Sequence, residues 1–253
     1  MTVNAIRSPI KLATWLIALA IGFSLGIVLL LANPQQYFDL QRTVGWRFKL
    51  PSVAQVGLEQ TMIALQLRGE ALVRPTDMLV FGDSHAQALP ATLFGGFVNY
   101  AIGGETLQRL AVRIQRYASV KTARAVLIFS GTNDIAQNSD TDTISNSMAH
   151  LLAHLTANLP VNSRILVVGL LPTAEFRMPL ILRLEINLRF KTLCTARPGC
   201  QYVDPEFLAS TNRFLDPQFA EHDGLHLNHL GYQVLAQNLA KAIHLHDSQR
   251  PAL

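Results

Sequence analysis

Four short segments of the sequence carry the residue types that acyl transfer through a serine requires. Ser84 stands in the tetrapeptide Gly-Asp-Ser-His, directly after four apolar residues that are enough for a buried strand. A serine hydroxyl at such a position is a candidate nucleophile if a base and donors for an oxyanion lie nearby. Such residue types recur at 99–106, 131–134 and 223–228.

The segment at 223–228, Asp-Gly-Leu-His-Leu-Asn, supplies a candidate base and a carboxylate. Imidazole is the usual general base of such chemistry, and the side chain of His226 can accept the proton of a serine hydroxyl. Asp223 precedes it by three residues, across a glycine, and can turn back onto Nδ1 of the ring. Alone, Ser84 would more often cap a helix and Asp223 would more often form a turn, so the prediction depends on all the segments together.

Strands and helices alternate after residue 77, which predicts a three-layer α/β/α domain with a central parallel sheet. Apolar runs predict strands at 78–81, 97–101, 124–130, 164–171 and 201–203. Helical patterns cover 105–117, 141–159, 179–195 and 229–243, with Leu107, Leu110, Val112 and Ile114 expected on the inner side of the first. Right-handed crossovers place the C-terminal ends of parallel strands at one edge, which brings the candidate residues together.

The four segments in this order resemble the motifs of the SGNH/GDSL hydrolase family, over residues 77–243. The resemblance implies the flavodoxin-like form of the three-layer fold and a serine esterase that needs neither a metal nor a cofactor. It implies that Ser84 is the nucleophile, that His226 is its base and that Asp223 orients the histidine.

The same resemblance implies an oxyanion hole with three donors. These are the backbone N–H of Ser84, the backbone N–H of Gly104 and the side-chain amide of Asn133. Gly103 is the alternative to Gly104, and matching the segment 102–106 to the usual family run favours Gly104.

The tetrapeptide differs from the usual family motif because His85 replaces the common leucine. Gly-Asp-Ser-His recurs in family members that act on carbohydrate O-acyl groups, including transferases. The resemblance therefore implies O-acyl or O-acetyl groups of envelope carbohydrate, or lipid esters, as substrates. Two alternatives stay open: an O-acyltransferase with the same triad, and a catalytically silent binding or scaffold domain tethered to the membrane.

The N-terminal part of the chain predicts a membrane anchor. Residues 12–32 carry no charge and, as a helix, would span about 30 Å, the thickness of the hydrocarbon core. A cleaved signal peptide is the alternative, but its apolar core is usually shorter. A polar tail at 1–11 precedes the anchor, and a stalk at 33–76 with one helix at 52–67 follows it. The hydrolase domain is expected at 77–246, with a tail at 247–253.

The compartment is predicted from the only two cysteines. Cys194 and Cys200 enclose a Pro-Gly turn and would form a small disulfide loop in an exported protein, but two thiols in the cytosol. Basic residues lie on both sides of the anchor, so the positive-inside rule does not decide its orientation. The cysteine pair and the resemblance together favour a domain on the periplasmic or outer side.

Charge and histidine patterns give no sign of other partners. The net charge of +4 is dispersed rather than gathered in a basic block, so no nucleic-acid binding is expected, and nothing in the sequence defines an oligomeric state. His150 and His154 have the spacing of zinc ligands, but without further ligands they indicate a solvated helix face.

Several polar residues near the motifs receive structural rather than catalytic interpretations. Asp83 and Asp134 are expected to form local hydrogen bonds that hold their turns. Residues expected at the surface or behind the site are His85, His222 and His229. Residues expected on one solvated helical stripe are Arg109, Arg113 and Arg116.

Overall fold

A computed structural model describes residues 53–74, 77–90 and 96–247. The chain divides into two compact units, 1–56 and 57–253. Only residues 53–56 of the first unit, at the start of a helix, are described. The predicted anchor at 12–32 and the tail at 1–11 lie outside the described residues. In the described part of the chain, no helix is both long and apolar enough to cross a membrane.

Five parallel strands form one sheet, as the sequence predicts. They are β1 (Met78–Gly82), β2 (Val98–Asn99), β3 (Ala125–Phe129), β4 (Arg164–Val168) and β5 (Cys200–Val203). Their order is β2-β1-β3-β4-β5, which is the flavodoxin-like arrangement. The direction of winding reverses between β1 and β3, and ligands of such sheets bind where the strands at this point end.

Seven α-helices accompany the sheet in the described residues. They are α1 (Val53–Gly69), α2 (Ser84–Gln87), α3 (Leu107–Arg113), α4 (Thr132–Ala136), α5 (Thr141–Asn158), α6 (Leu180–Thr195) and α7 (His229–Asp247). Short 3₁₀ turns occupy Glu70–Leu72, Ile114–Arg116, Ala118–Thr122, Pro205–Leu208 and Pro217–Phe219.

Both faces of the sheet are buried, which explains why its strands are continuous apolar runs. Successive side chains of a strand point to opposite faces. Leu79 and its equivalents on β3 and β4 pack with apolar residues of α3, α5 and α6. Val80 and its equivalents pack with apolar residues of α7, including Leu235 and Leu239. The two cores give the three layers that the sequence predicts.

Helix α3 is shorter than the predicted helix at 105–117, because it ends at Arg113 and continues as a 3₁₀ turn. Val112 is 68% exposed, so its predicted inward orientation is wrong. Leu110 and Ile114 follow the helical repeat and are buried. Val112 lies two residues from each of them and therefore points away from the sheet.

Three predicted strands are longer than the observed ones, β3 by one residue at each end. β4 ends at Val168 because both backbone groups of Leu170 bind the side-chain amide of Asn187 on α6, at 2.7 and 3.0 Å. β2 ends at Asn99, although Tyr100 and Ile102 still donate backbone N–H groups to β1. This extended segment carries the chain along β1 toward Ser84.

A disulfide joins Cys194, at the end of α6, to Cys200, at the start of β5. Of the two states that the sequence allows, a disulfide and two thiols, the structure has the disulfide. The turn between them is allowed by Gly199, whose φ is +75°.

Candidate active site

Ser84 stands at the tight turn between β1 and α2. Gly82 is required there, because a Cβ at this position would lie 2.0 Å from the carbonyl oxygen of Phe129. The backbone N–H of Asp83 donates to that same oxygen at 3.1 Å. The carboxylate of Asp83 caps α2 by accepting the backbone N–H of His85 at 3.0 Å, which is the local hydrogen bond that the sequence predicts. The turn thereby fixes Ser84 as the first residue of the helix.

The structure brings Ser84, His226 and Asp223 together in a line. Ser84 Oγ lies 3.0 Å from His226 Nε2, and His226 Nδ1 lies 2.6 Å from Asp223 Oδ2. The other carboxylate oxygen of Asp223 accepts the backbone N–H groups of Leu225 and His226, each at 2.9 Å. Partial burial raises the pKa of Asp223, but the hydrogen bonds from His226 and Leu225 outweigh it and lower the pKa to about 2. The carboxylate is therefore ionised wherever the imidazole can act as a base.

The loop after β4 holds the turn that carries Asp223. Gly224 has a φ of +65°, and a Cβ there would lie 2.7 Å from Ala174 and 2.9 Å from the ring of Phe176. The backbone N–H of Ala174 donates to the carbonyl of Gly224 at 2.8 Å, and Arg177 Nε donates to the carbonyl of Asp223 at 2.6 Å. Sequence reasoning missed this support, because nothing in the residue pattern of 172–178 links it to the turn.

The glycine pair after β2 lies beside the candidate nucleophile. A Cβ on Gly103 would be 3.7 Å from the Cβ of Ser84. The backbone N–H of Gly103 donates to Oε1 of Gln87 at 2.9 Å, so this N–H already has an acceptor. Gly104, the donor that the sequence favours, has a φ of +79°. The oxyanion role of Ser84 and Gly104 stays a prediction.

Asn133 and Asp134 join the end of β3 to the loop after β2. The amide of Asn133 donates to the carbonyl oxygen of Glu105 at 3.0 Å, and its role as an oxyanion donor stays a prediction. Asp134 was expected to bind locally, but it accepts the backbone N–H of Leu107 at 2.7 Å. Burial raises the pKa of Asp134 to about 6. The two residues together hold the loop that carries Gly104.

The predicted solvated stripe of Arg109, Arg113 and Arg116 is wrong for two of its three members. Arg113 is buried and forms a two-pronged ion pair with Glu105, at 2.6 and 2.7 Å. Arg109 is partly buried and pairs with Glu59 of α1. Only Arg116 is exposed. Helical spacing alone could not reveal acidic partners that lie elsewhere in the sequence.

His85 is buried behind the triad rather than exposed. Its ring stacks on Phe129 with the centroids 5.6 Å apart, and lies 5.3 Å from the ring of His226. Burial lowers the pKa of His85 to about 3, so the ring is neutral and adds no charge beside His226. In contrast, burial raises the pKa of Asp83 to about 7.

Four other histidines lie at or near the surface. His222, His229 and His150 are exposed, and His154 is half-buried with its ring near the amide of Asn158. Within 53–74, 77–90 and 96–247, no three His, Cys, Asp or Glu side chains form a group that could hold a metal ion.

Comparison with protein families gives one match in addition to this geometry. Residues 80–234 match the GDSL-like Lipase/Acylhydrolase family. The match begins within β1 and ends in α7, so it contains every residue of the predicted triad and oxyanion hole. A search of curated proteins finds no match.

Solved structures with the same fold are distant in sequence. A protein from Streptococcus pneumonia, provisionally described as a platelet activating factor, is 19% identical with a TM-score of 0.69, over 81% of this chain and 98% of its own. A GDSL-like lipase from Bacteroides thetaiotaomicron is 19% identical with a TM-score of 0.62, over 72% and 97%. The esterase EstA from Pseudoalteromonas, solved after inhibition by monoethylphosphonate, is 14% identical with a TM-score of 0.55, over 70% and 100%.

Proposed function

The chain belongs to the GDSL-like lipase/acylhydrolase family, and we propose that it is a serine esterase of SGNH type that works through an acyl-Ser84 intermediate. The family implies ester hydrolysis on small-molecule or lipid esters. The observation that carries the finer proposal is the contact of Ser84 Oγ with His226 Nε2 at 3.0 Å, in line with the contact of His226 Nδ1 with Asp223 at 2.6 Å. This arrangement is that of a nucleophile, its base and the group that orients the base.

In the first step, Ser84 Oγ attacks the ester carbonyl while its proton moves to Nε2 of His226. The ionised carboxylate of Asp223 stabilises the imidazolium that forms. The carbonyl oxygen becomes an oxyanion, which accepts hydrogen bonds from the backbone N–H groups of Ser84 and Gly104 and from the amide of Asn133. The C–O bond to the alcohol then breaks, and His226 gives its proton to the leaving alkoxide. The products are a free alcohol and an acyl-Ser84 ester.

In the second step, water replaces the alcohol. His226 takes a proton from the water as its oxygen attacks the acyl carbon, and returns that proton to Ser84 Oγ as the acyl–serine bond breaks. The product is a carboxylic acid, and the enzyme returns to its starting state. A sugar hydroxyl in place of water would give transfer with the same residues, which is the alternative activity.

The substrates that we propose are O-acyl groups, above all O-acetyl groups, on envelope carbohydrate. Two features support this choice over a buried lipid chain. The tetrapeptide Gly-Asp-Ser-His is the variant found in family members that act on carbohydrate. In addition, the side chains of Asp223 and His226 are each 38% exposed, so the triad can meet an acyl group that protrudes from a large polymer.

The location that we propose is the outer side of a membrane, with residues 12–32 as an uncleaved anchor. The disulfide between Cys194 and Cys200 supports this location, because disulfides persist in oxidising compartments. The uncharged run at 12–32 supports the anchor.

The proposed activity can be tested on the full-length chain in detergent. The substrates are nitrophenyl esters from acetyl to octanoyl and an O-acetylated polysaccharide. We expect the highest turnover on acetyl groups and none with Ser84→Ala, whose thermal unfolding should match the parent protein. A preference for long chains would favour lipid esters. Labelling of Ser84 by a fluorophosphonate without hydrolysis of any ester would favour the transferase. A folded protein without labelling would point to a silent domain.

A further inference from the structure

The guanidinium of Arg113 uses all five of its N–H donors although the side chain is only 3% exposed. Nε and one Nη2 hydrogen bind the carboxylate of Glu105 at 2.6 and 2.7 Å. The other Nη2 hydrogen binds the carbonyl of Tyr100 at 2.9 Å. The two Nη1 hydrogens bind Oε1 of Gln66 at 3.1 Å and the hydroxyl of Tyr117 at 2.6 Å. A fully paired and buried arginine fixes the positions of all these partners.

Two of those partners lie at opposite ends of the loop that carries the predicted oxyanion donor. Tyr100 immediately follows β2, and Glu105 immediately follows Gly104. One guanidinium group therefore donates hydrogen bonds to both ends of the segment 100–105. The carbonyl oxygen of Glu105 also accepts a hydrogen bond from the side-chain amide of Asn133. Glu105 therefore links Arg113 to a second predicted oxyanion donor.

Helix α1 lies outside the family-matched region 80–234 and adds hydrogen bonds to Arg113 and its neighbours. Oε1 of Gln66 accepts from both Arg113 and the hydroxyl of Tyr117, the latter at 2.6 Å. One turn further, the carboxylate of Glu70 accepts the backbone N–H of Ser119 at 3.0 Å and its hydroxyl at 2.7 Å. Glu70 also accepts the hydroxyl of Tyr100. The segment 57–70 thus contacts the residues around the loop at two places. Gln66 binds Arg113 and Tyr117, and Glu70 binds Tyr100 and Ser119.

We infer that Gln66 and Arg113 are positioning residues for the oxyanion hole, so that the part of α1 that carries Gln66 belongs to the catalytic unit. Neither residue touches the substrate. They act through Glu105, which sets where the N–H of Gly104 and the amide of Asn133 point. Preorganised donors matter more in the transition state than in the bound substrate, so the effect should appear in kcat rather than in KM.

The test compares Gln66→Leu with Glu59→Gln in the full-length chain. Gln66→Leu keeps the size of the side chain but removes one acceptor of Arg113 Nη1 and the acceptor of the Tyr117 hydroxyl. Glu59→Gln weakens a different contact of α1 with α3, the pair with Arg109, and leaves Arg113 untouched. For each variant we would measure kcat and KM on nitrophenyl acetate, the rate of Ser84 phosphonylation by intact mass, and the melting temperature.

We expect Gln66→Leu to lower kcat and the phosphonylation rate by about tenfold with KM within twofold, because a displaced donor costs less than a deleted one. Glu59→Gln should leave all three values unchanged. A lower melting temperature for Gln66→Leu with unchanged kinetics would overturn the inference and leave α1 a purely structural element.

A second variant, Arg113→Lys, keeps the charge but offers three donors on a compact head in place of the fork. We expect it to lower kcat further than Gln66→Leu does, again with little change in KM. Equal activity of Arg113→Lys and the parent protein would also overturn the inference.

Because positioning concerns the transition state, the role of Gln66 rests on the proposed function. A parent protein whose Ser84 does not react with the phosphonate would overturn both, whereas a reactive parent with unaffected variants would overturn this inference alone.

Discussion

Asp223 binds His226 twice, once through the ring and once through the backbone. Oδ2 lies 2.6 Å from Nδ1 of the imidazole, while Oδ1 accepts the backbone N–H of the same residue at 2.9 Å. The carboxylate therefore fixes both the position of the backbone and the tautomer of the ring. Three residues of sequence separation make this possible, because the turn at Gly224 brings the side chain back onto its neighbour.

This double contact predicts a large effect of Asp223→Asn. The Asn side chain can still accept the backbone N–H through Oδ1, so the turn should persist. Its amide would instead donate to Nδ1, which favours the tautomer with a hydrogen on Nε2 and removes the base from Ser84. We expect kcat on nitrophenyl acetate to fall by about 10³–10⁴-fold with a nearly unchanged melting temperature. A loss smaller than tenfold would show that His226 does not depend on this carboxylate.

Asn133→Ala tests the predicted oxyanion hole. Loss of one donor should lower kcat by about 10²–10³-fold with a small change in KM, because the donor acts on the charge that develops in the transition state. The substitution also removes the hydrogen bond to the carbonyl of Glu105, so a modest fall in melting temperature is expected. Turnover equal to that of the parent protein would place the donor elsewhere.

The fold and the triad could be predicted from the sequence because their signals are local. Four apolar residues before Gly82 indicate a buried strand, and parallel strands end at one edge. The segment 223–228 carries its own turn, carboxylate and base. Within the described part of the chain, each helix and strand that the sequence predicts overlaps an observed element of the same type. The C-terminal end of β4 differs because the side chain of Asn187 binds the backbone.

The supports of the site could not be predicted because they depend on contacts between distant residues. Arg113 pairs with Glu105, eight residues earlier, and with Gln66, 47 residues earlier. Its helical spacing with Arg109 and Arg116 is also that of a solvated stripe. His85 has no sequence feature that reveals its burial against Phe129. Only the packed structure shows which polar residues lie inside.

The buried carboxyl group of Asp83 predicts a pH dependence of stability. Burial raises its pKa from the ordinary 3.8 to about 7, so the folded state favours the protonated form. This contribution to the free energy of unfolding is fully present below about pH 4 and is lost as the pH rises through 7. Asp83→Asn keeps the cap on His85 through its oxygen but cannot ionise. The melting temperature of the variant relative to the parent protein should therefore rise from pH 4 to pH 8. Over the same range the difference in their free energies of unfolding should change by an amount on the order of 4 kcal/mol.

Asp140→Asn is the matched control for this titration. Asp140 also caps a helix, by accepting the backbone N–H of Thr143 at 2.7 Å, but it is exposed. Hydrogen bonds from Thr143 lower its pKa, so it is ionised throughout the window from pH 5 to pH 8. The difference between Asp140→Asn and the parent protein should stay flat there. A flat difference for Asp83→Asn as well would mean that Asp83 is already ionised in the folded protein.

The disulfide between Cys194 and Cys200 predicts both a stability effect and a compartment. It closes a short loop between α6 and β5, and loops of this length limit the entropy that a cross-link removes from the unfolded chain. Replacing both cysteines with alanine should therefore lower the free energy of unfolding by about 2 kcal/mol, measured by urea titration. Turnover should not change, because neither cysteine contacts the triad.

In material purified from its native membrane with thiols blocked at lysis, mass spectrometry should find the peptides of Cys194 and Cys200 linked. Two alkylated thiols in that material would contradict the proposed outer location, since a domain that faces the oxidising side would keep the bond.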